Sequence, residues 1–303
     1  MRLEGPEPDV GEGSSSLETE ERGRMYCIKK VLNNNAVVAV DFTARKEVVF
    51  LGKGIGFNKK VNQPYTPTKG VKRYQLELAN AKGSTDMMLN SVKPIYVEMA
   101  GMILDMTQEA FGQDAVDGNI LLPLADHIAF TVERMESNMK LANPFEEDIR
   151  LLYKEEYEIA QKARDKMEER MGIRVPDNEL TFIALYIHSA LNDSEVSESM
   201  RIPVIIRQSI ERIKEECHID EIGGFAYNRL MYHIKCMLGR VNKNAELDQA
   251  MIEFTKQQCP YSYKLAQGIC KELGEELDTS FTEAEVSYLA LHIERIRINP
   301  IEG

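Results

Sequence analysis

The sequence of 303 residues predicts a multidomain α+β protein, in which a small antiparallel β domain precedes two homologous all-α helical-bundle domains. Three observations predict this fold: short runs of strand-forming residues near the N-terminus, a later change to helical periodicity, and an internal repeat in the helical part. The length is sufficient for two or three cores. We expect a leader at 1–24, the β domain with its linker at 25–80, and helical domains at 81–195 and 196–303.

The leader is acidic and rich in glycine and serine, which is typical of a disordered segment, and it lacks the apolar stretch of a signal peptide. No run in the chain approaches the roughly 20 apolar residues that cross a bilayer. The five cysteines are odd in number and form no close CxxC pair. We therefore expect reduced thiols and a cytoplasmic location without membrane insertion, and no zinc site.

Three short strands are predicted in the β domain, at Tyr26–Leu32, Ala36–Phe42 and Lys46–Leu51. Asn33–Asn35 is a turn signal between the first two strands, and the glycine-rich Gly52–Gly56 closes the third. Three short strands can bury only a small hydrophobic core. We therefore expect the domain to pair with a second copy, which would bury its sheet face.

Pro64, Pro67 and Gly70 predict a loop between the strands and the helical part. From about residue 85 onward, apolar residues recur three or four apart, as they do on one face of an amphipathic helix. The clearest series is Leu121, Leu124, Ile128, Val132 and Met135. This period predicts helices from there to the C-terminus.

The helical part contains an internal repeat. Tyr157–Gln161 is similar to Tyr263–Gln267, and Glu179–His188 is similar to Glu283–His292. Length, order and residue types agree between the copies, so the two helical domains are predicted to share one fold.

Four of the five histidines occupy matching places in the two copies. His127 and His188 are 61 residues apart, His233 and His292 are 59 apart, and only His218 has no counterpart. A neutral imidazole near pH 7 is a competent nucleophile, and therefore a candidate acceptor of a phosphoryl group. Phosphorylation adds about two negative charges, which can separate or re-pair domains.

Other roles for these histidines stay open on the sequence. Duplication alone preserves a structural histidine in both copies. The Asp126-His127 pair is suggestive of metal-dependent hydrolases, although no further ligand cluster supports a metal site. Gly52–Gly56 does not lead into the helix that a phosphate-binding loop requires. We expect no enzyme activity, no cofactor and no metal.

Charge is divided unevenly along the chain. Residues 25–75 contain ten Lys or Arg against Asp41 and Glu47, a balance of +8, whereas the whole chain carries −12. The remainder is therefore strongly acidic. A basic β domain joined to an acidic body is suited to contact phosphates with the first part alone.

These residues resemble a known family. Ile28–Asn35 and Leu51–Lys60 resemble the co-antiterminator (CAT) RNA-binding domain, and the duplicated helical domains resemble the phosphotransferase-system (PTS) regulation domains, or PRDs. Together they resemble the BglG/SacY/LicT antiterminators over about residues 25–303. Gly52–Phe57 and Leu124–Phe130 are similar to the glucose-type branch, GlcT.

The resemblance implies a homodimeric, RNA-binding transcriptional antiterminator. Its CAT domains would bind a hairpin in a leader mRNA and prevent a terminator from forming upstream of sugar-uptake genes. Many relatives carry arginine where Lys53 stands, and lysine lacks the planar fork of arginine. The residues that the resemblance assigns to RNA are Lys30, Asn33, Asn34, Asn35, Lys53, Gly54, Phe57 and Asn58.

The resemblance also implies control by phosphorylation. The family's phosphorylated histidines map onto His127, His188, His233 and His292, with HPr and a sugar-specific enzyme II as phosphoryl donors. Two alternatives are a PRD-containing DNA-binding activator, which would need a helix-turn-helix, and a metal-dependent hydrolase built on the helical domains.

Overall fold

The computed structural model describes residues 26–41, 44, 46–76, 92–112, 115–139, 142–240 and 249–301. The leader predicted at 1–24 lies outside the described residues. The chain divides into two compact units. The first holds the residues up to Leu104 and Gly118–Phe130, and the second holds Asp105–Asp117 and the chain from Thr131 onward.

The first unit contains a five-stranded antiparallel sheet with the strand order β4-β1-β2-β3-β5. Its strands are β1 (Tyr26–Asn33), β2 (Ala36–Asp41), β3 (Lys46–Leu51), β4 (Pro64–Tyr65) and β5 (Lys72–Leu76). The predicted antiparallel β domain is therefore present, and its three predicted strands correspond to β1, β2 and β3.

The prediction of a loop was wrong at Pro64, which begins β4, whereas Pro67 and Gly70 lie in the loop between β4 and β5. Pro64 pairs with Cys27 at the edge of the sheet, where a missing backbone N–H is tolerated. A strand of two residues leaves no periodic signal in a sequence.

Both faces of the sheet are buried at its centre, because successive side chains point to opposite faces and consecutive residues of β2 and β3 are buried. On one face Phe50 packs edge-on against Tyr26, with ring centroids 4.9 Å apart. On the other face Val38 and Val49 are fully buried, and the Tyr74 hydroxyl donates a hydrogen bond to the carbonyl oxygen of Gly101 at 3.3 Å. The sheet therefore contacts the first helix of its own unit.

Ten α-helices follow in the part of the chain that the structure describes. They are α1 (Pro94–Phe111), α2 (Leu121–Glu136), α3 (Glu146–Leu152), α4 (Lys154–Met171), α5 (Asp177–Asn192), α6 (Val196–Cys217), α7 (Gly224–Arg240), α8 (Gln249–Gln258), α9 (Pro260–Glu276) and α10 (Glu283–Ile298). In the second unit α4 packs against α5 and α9 packs against α10, so the internal repeat corresponds to two similar helical hairpins. Among the described residues, no helix is both long and apolar enough to cross a membrane.

Buried polar contacts hold the helices of the second unit in register. The Arg134 guanidinium forms an ion pair with Glu179 at 2.7 Å, with both side chains almost fully buried. Arg207 on α6 pairs with the buried Asp148 on α3 at 2.8 Å. Removing one partner of a buried ion pair leaves an uncompensated charge and is strongly destabilising, so the Arg134–Glu179 pair favours the packing of α2 against α5.

Candidate RNA interface and histidine sites

The asparagine turn and the glycine-rich loop of the first unit form one connected surface. Asn35 Oδ1 accepts a hydrogen bond from the backbone N–H of Gly54 at 3.0 Å, and the carbonyl oxygen of Asn34 accepts one from Gly56 at 2.9 Å. Asn33 Oδ1 accepts from the backbone N–H of Asn35 at 2.8 Å, as in an Asx turn. Two segments about 20 residues apart are thereby held side by side.

Gly56 makes this close approach possible. A Cβ atom added at this position would lie 2.0 Å from the carbonyl oxygen of Asn33, so any other residue would push the loop away from the turn. The sequence places Gly56 in the glycine-rich motif, but it does not reveal this contact. Gly54 has a φ of 75°, the left-handed region that glycine adopts without strain.

The exposed side chains of the loop are chemically suited to RNA. Phe57 is 62% exposed, Lys53 and Asn58 are exposed as well, and Asn58 has a left-handed φ of 55°. Lys30 lies half-buried on β1, three residues before the asparagine turn. Of the eight residues assigned by resemblance, the turn asparagines and Gly54 are joined by hydrogen bonds, and Lys53, Phe57 and Asn58 lie in the same loop.

Glu98 on α1 also contacts this surface, which the sequence did not reveal. The side-chain amide of Asn33 donates a hydrogen bond to Glu98 Oε1 at 2.5 Å, and that of Asn35 donates to Oε2 at 3.2 Å. Both asparagine amides are therefore engaged by one carboxylate within the first unit. No periodicity or motif in the sequence connects Glu98 with the asparagine turn, so only the folded chain shows this contact.

In the second unit, His188 is oriented by a carboxylate. Its Nδ1 lies 2.8 Å from Glu156 Oε1, and Asn192 Nδ2 lies 3.3 Å from its Nε2. Because an amide N–H only donates, the neutral tautomer that satisfies both contacts has its proton on Nδ1 and its lone pair on Nε2. This arrangement leaves Nε2 as the nucleophilic nitrogen.

Tyr153 holds the ring of His188 from one side, with ring centroids 4.1 Å apart. The Tyr153 hydroxyl donates to the carbonyl oxygen of Ser199 at 2.9 Å. Burial, and then the charge of Glu156, raise the pKa of Tyr153, so the phenol stays neutral. His127 lies half-buried on α2 in the first unit.

The second repeat brings its two histidines into direct contact. The rings of His233 on α7 and His292 on α10 have centroids 4.2 Å apart and are inclined by 35°. Burial first, and then the charges of Arg229 and Arg295, hold the pKa of His292 below its ordinary value. The His292 imidazole is therefore neutral near pH 7, as a nucleophile requires.

Among the described residues, no group of three or more His, Cys, Asp or Glu side chains could hold a metal ion. His218 ends α6 in a left-handed conformation and is exposed, away from the paired positions of the repeat.

These features define a class of protein: a β domain with a polar and aromatic loop surface, joined to a duplicated helical domain with paired histidines. Comparison with known domains agrees. The CAT RNA binding domain matches residues 26–82, and the PRD domain matches residues 102–190 and 207–296. The chain belongs to the family of proteins that join a CAT RNA binding domain to PRD domains, as the sequence predicted.

Curated relatives cover nearly the whole chain. It is 30% identical to "Protein GlcT" of Staphylococcus haemolyticus (strain JCSC1435), over 88% of this chain and 95% of that protein. It is 31% identical to the "GlcA/glcB genes antiterminator" of Staphylococcus carnosus (strain TM300), over 88% and 94%. A solved chain described as "Crystal structure of GlcT CAT-PRDI" shares 34% identity over 55% of this chain and 98% of that one, with a TM-score of 0.47.

Proposed function

We propose that this protein is a cytoplasmic RNA-binding antiterminator of transcription rather than an enzyme or a DNA-binding activator. Two CAT domains would bind a hairpin in a leader mRNA and prevent a competing terminator upstream of sugar-uptake genes. The observation that carries the proposal is the joined surface of the asparagine turn and the glycine-rich loop.

We also propose domain boundaries. The CAT domain with its linker would span 25–80, the first PRD 81–195 and the second PRD 196–303.

The chemistry of this surface suits the edges and faces of unpaired RNA bases. Side-chain amides such as those of Asn33 and Asn35 donate to and accept from base edges. The exposed ring of Phe57 can stack on a base, which contributes about 1–3 kcal/mol. Lysines such as Lys30 and Lys53 neutralise phosphates and release counterions, so binding should weaken as salt increases.

Control would come from phosphorylation of His127, His188, His233 and His292 by HPr and a sugar-specific enzyme II. In each transfer the nucleophilic imidazole nitrogen attacks the phosphorus on the phosphorylated side chain of the donor. A new N–P bond forms, the bond from phosphorus to the donor atom breaks, and the donor side chain takes up the proton that the acceptor ring loses. The contacts of His188 with Glu156 and Asn192 orient its ring, and the lowered pKa of His292 keeps that imidazole neutral, so both rings suit the attacking role.

Glu98 gives RNA a competitor inside the protein. The amides of Asn33 and Asn35 cannot bind bases fully while they donate to this carboxylate. A carboxylate at the RNA surface also repels phosphate. Binding of RNA would therefore require that these two hydrogen bonds are exchanged.

The test is binding of the full chain to a panel of leader hairpins from sugar-uptake operons, measured at several salt concentrations. We expect Lys53→Ala and Phe57→Ala to weaken binding by about tenfold or more, the lower part of the range for a lost stacked base. Lys69→Ala is the matched control, because it removes one exposed lysine of the same domain outside the loop surface. Equal affinity in all three variants would overturn the proposed surface.

A further inference from the structure

Two arginines flank the paired histidines of the second repeat. Arg229 precedes His233 by four residues on α7, and Arg295 follows His292 by three residues on α10. Residues three or four apart are neighbours on a helix surface, so each arginine lies on the same side of its helix as the histidine. Because the two rings are in contact, the cluster joins two guanidinium groups and two imidazoles.

Arg229 has hydrogen-bonding capacity that its surroundings leave unused. Its Nε and Nη2 atoms are buried without a hydrogen-bond partner among the described residues, while the guanidinium lies over the ring of Phe225. Burial, and then the charge of Arg295, lower the pKa of Arg229. Buried donors without partners cost free energy, and two neighbouring cations repel each other. An anion between them would relieve both costs.

The first repeat lacks this arrangement. With the spacings of 106 and 104 residues that relate the histidines, Arg229 corresponds to Pro123 and Arg295 to Leu191. The charged partner of His188 is instead the carboxylate of Glu156. Among the described residues, His188 therefore lies beside an anion, whereas the paired histidines of the second repeat lie beside cations that suit an anionic ligand.

We propose that Arg229, Arg295, His233 and His292 form a binding site for a tetrahedral phosphate oxyanion, which retains the phosphoryl group of a phosphohistidine in the second repeat. Guanidinium groups match phosphate oxygens with two parallel N–H donors, and such charge-assisted bonds are about twice as strong as neutral ones. Arg295 is exposed, so its side chain is free to turn toward the added group. Retention of a phosphoryl group rests on the proposed function, because it requires that these histidines are phosphorylated, whereas binding of free phosphate does not.

The first test is a titration of the full chain with inorganic phosphate at constant ionic strength, followed by NMR of the histidine side chains. We expect saturable shifts for His233 and His292 and none for His188. The double variant Arg229→Gln/Arg295→Gln should weaken the affinity at least tenfold. Arg295→Gln alone should weaken the phosphate affinity severalfold. Because Arg295 is exposed, this single variant should fold normally and keeps the test valid if the double variant fails to fold.

Arg297→Gln is the matched control, because it removes one arginine from the same helix that does not act on the pKa of His292. Its phosphate affinity should stay within about twofold of the wild type. Shifts that do not saturate, that survive in the double variant, or that include His188 equally would overturn the proposed site.

The second test concerns the phosphoryl group itself. Phosphoramidate transfers its phosphoryl group to an imidazole nitrogen, and the nitrogen that leaves takes the imidazole proton and departs as ammonia. Phosphohistidine at position 233 or 292 should hydrolyse several times faster in the double variant than in the Arg297→Gln control. Equal lifetimes would overturn retention by the arginines. No partner protein is needed, so this failure is distinct from a failure of phosphotransferase donors to act on the chain.

Discussion

Three candidate functional residues of the CAT domain and the first PRD are held by carboxylates, whereas the paired histidines of the second PRD are flanked by arginines. Glu98 engages the amides of Asn33 and Asn35, and Glu156 engages His188. His233 and His292 contact each other beside two cations. Duplication therefore preserved the histidines but not their electrostatic surroundings, and the two repeats are not interchangeable parts of one switch.

A carboxylate and an arginine pair favour different steps of phosphoryl transfer. Glu156 fixes the tautomer of His188 with the lone pair on Nε2, which favours attack on a donor. The arginines of the second repeat would instead neutralise the charge that appears after transfer. Under the functions we propose, His188 of the first repeat would accept a phosphoryl group readily, and the second repeat would retain one.

The largest effect is expected from Glu156→Gln. Loss of the orienting carboxylate should slow formation of phosphohistidine at His188 by about 100-fold, the lower end of the range for a lost general acid–base partner. The rate is measured with a phosphotransferase donor and mass spectrometry of the labelled sites. Glu155→Gln, an exposed neighbour on α4, is the control. A similar loss at His292 would break the comparison, since Glu156 does not act on that histidine and the charges that lower its pKa are those of Arg229 and Arg295.

A smaller effect, of opposite sign, is expected from Glu98→Gln. Its amide forms weaker bonds to Asn33 and Asn35 than the carboxylate does, and it no longer repels phosphate, so RNA affinity should increase by about tenfold. Gel-shift titrations with the full chain measure this gain. Glu109→Gln, at an exposed position of the same helix, should leave affinity unchanged. Weaker binding by the Glu98 variant would show that Glu98 supports the RNA surface instead of competing for it.

The pKa of His292 offers a smaller but direct measure of the arginine pair. Its midpoint in an NMR titration should lie below 6.5 in the wild type. Arg229→Gln and Arg295→Gln should each raise the pKa, and neither should restore it fully because burial is the larger cause. A midpoint that both substitutions leave unchanged would remove the electrostatic contrast between the repeats.

The smallest effect is on stability. Because the pKa of His292 is lower in the folded chain than in the unfolded chain, the unfolded chain binds more protons as the pH falls below about 6.5. The free energy of unfolding should therefore decrease between pH 7.5 and pH 5.5, and the decrease should be smaller in Arg295→Gln. Urea unfolding of the wild type and of Arg295→Gln at the two pH values measures this decrease. An equal decrease in the two proteins would contradict the assignment of the pH dependence to His292.

Much of the fold follows from local patterns in the sequence. Short runs of strand-forming residues between turn signals predicted β1 to β3, and the recurrence of similar segments predicted the two helical domains. The two-residue β4 could not be found because its pairing, and not its composition, makes it a strand. Local patterns specify elements but not their distant partners.

The same limit applies to the candidate sites. Local sequence features identified Phe57, which follows the glycine-rich motif, and the four histidines, which occupy matching places in the two repeats. The partners that give these residues their chemistry, Glu98, Glu156 and Arg229, are ordinary charged residues in the sequence. Glu98 and Glu156 acquire a role only through contacts across the fold, which no spacing rule encodes. The helical spacing places Arg229 beside His233, but only the fold shows that its donors are buried without hydrogen-bond partners among the described residues.

The most direct test of the central claim is transcription through a terminator preceded by a leader hairpin, reconstituted with the full chain. We predict increased read-through with the wild type, loss of that increase in Phe57→Ala, and a change in read-through when phosphotransferase donors phosphorylate the chain. Read-through that is the same with and without the protein, across the panel of leader hairpins, would contradict the account.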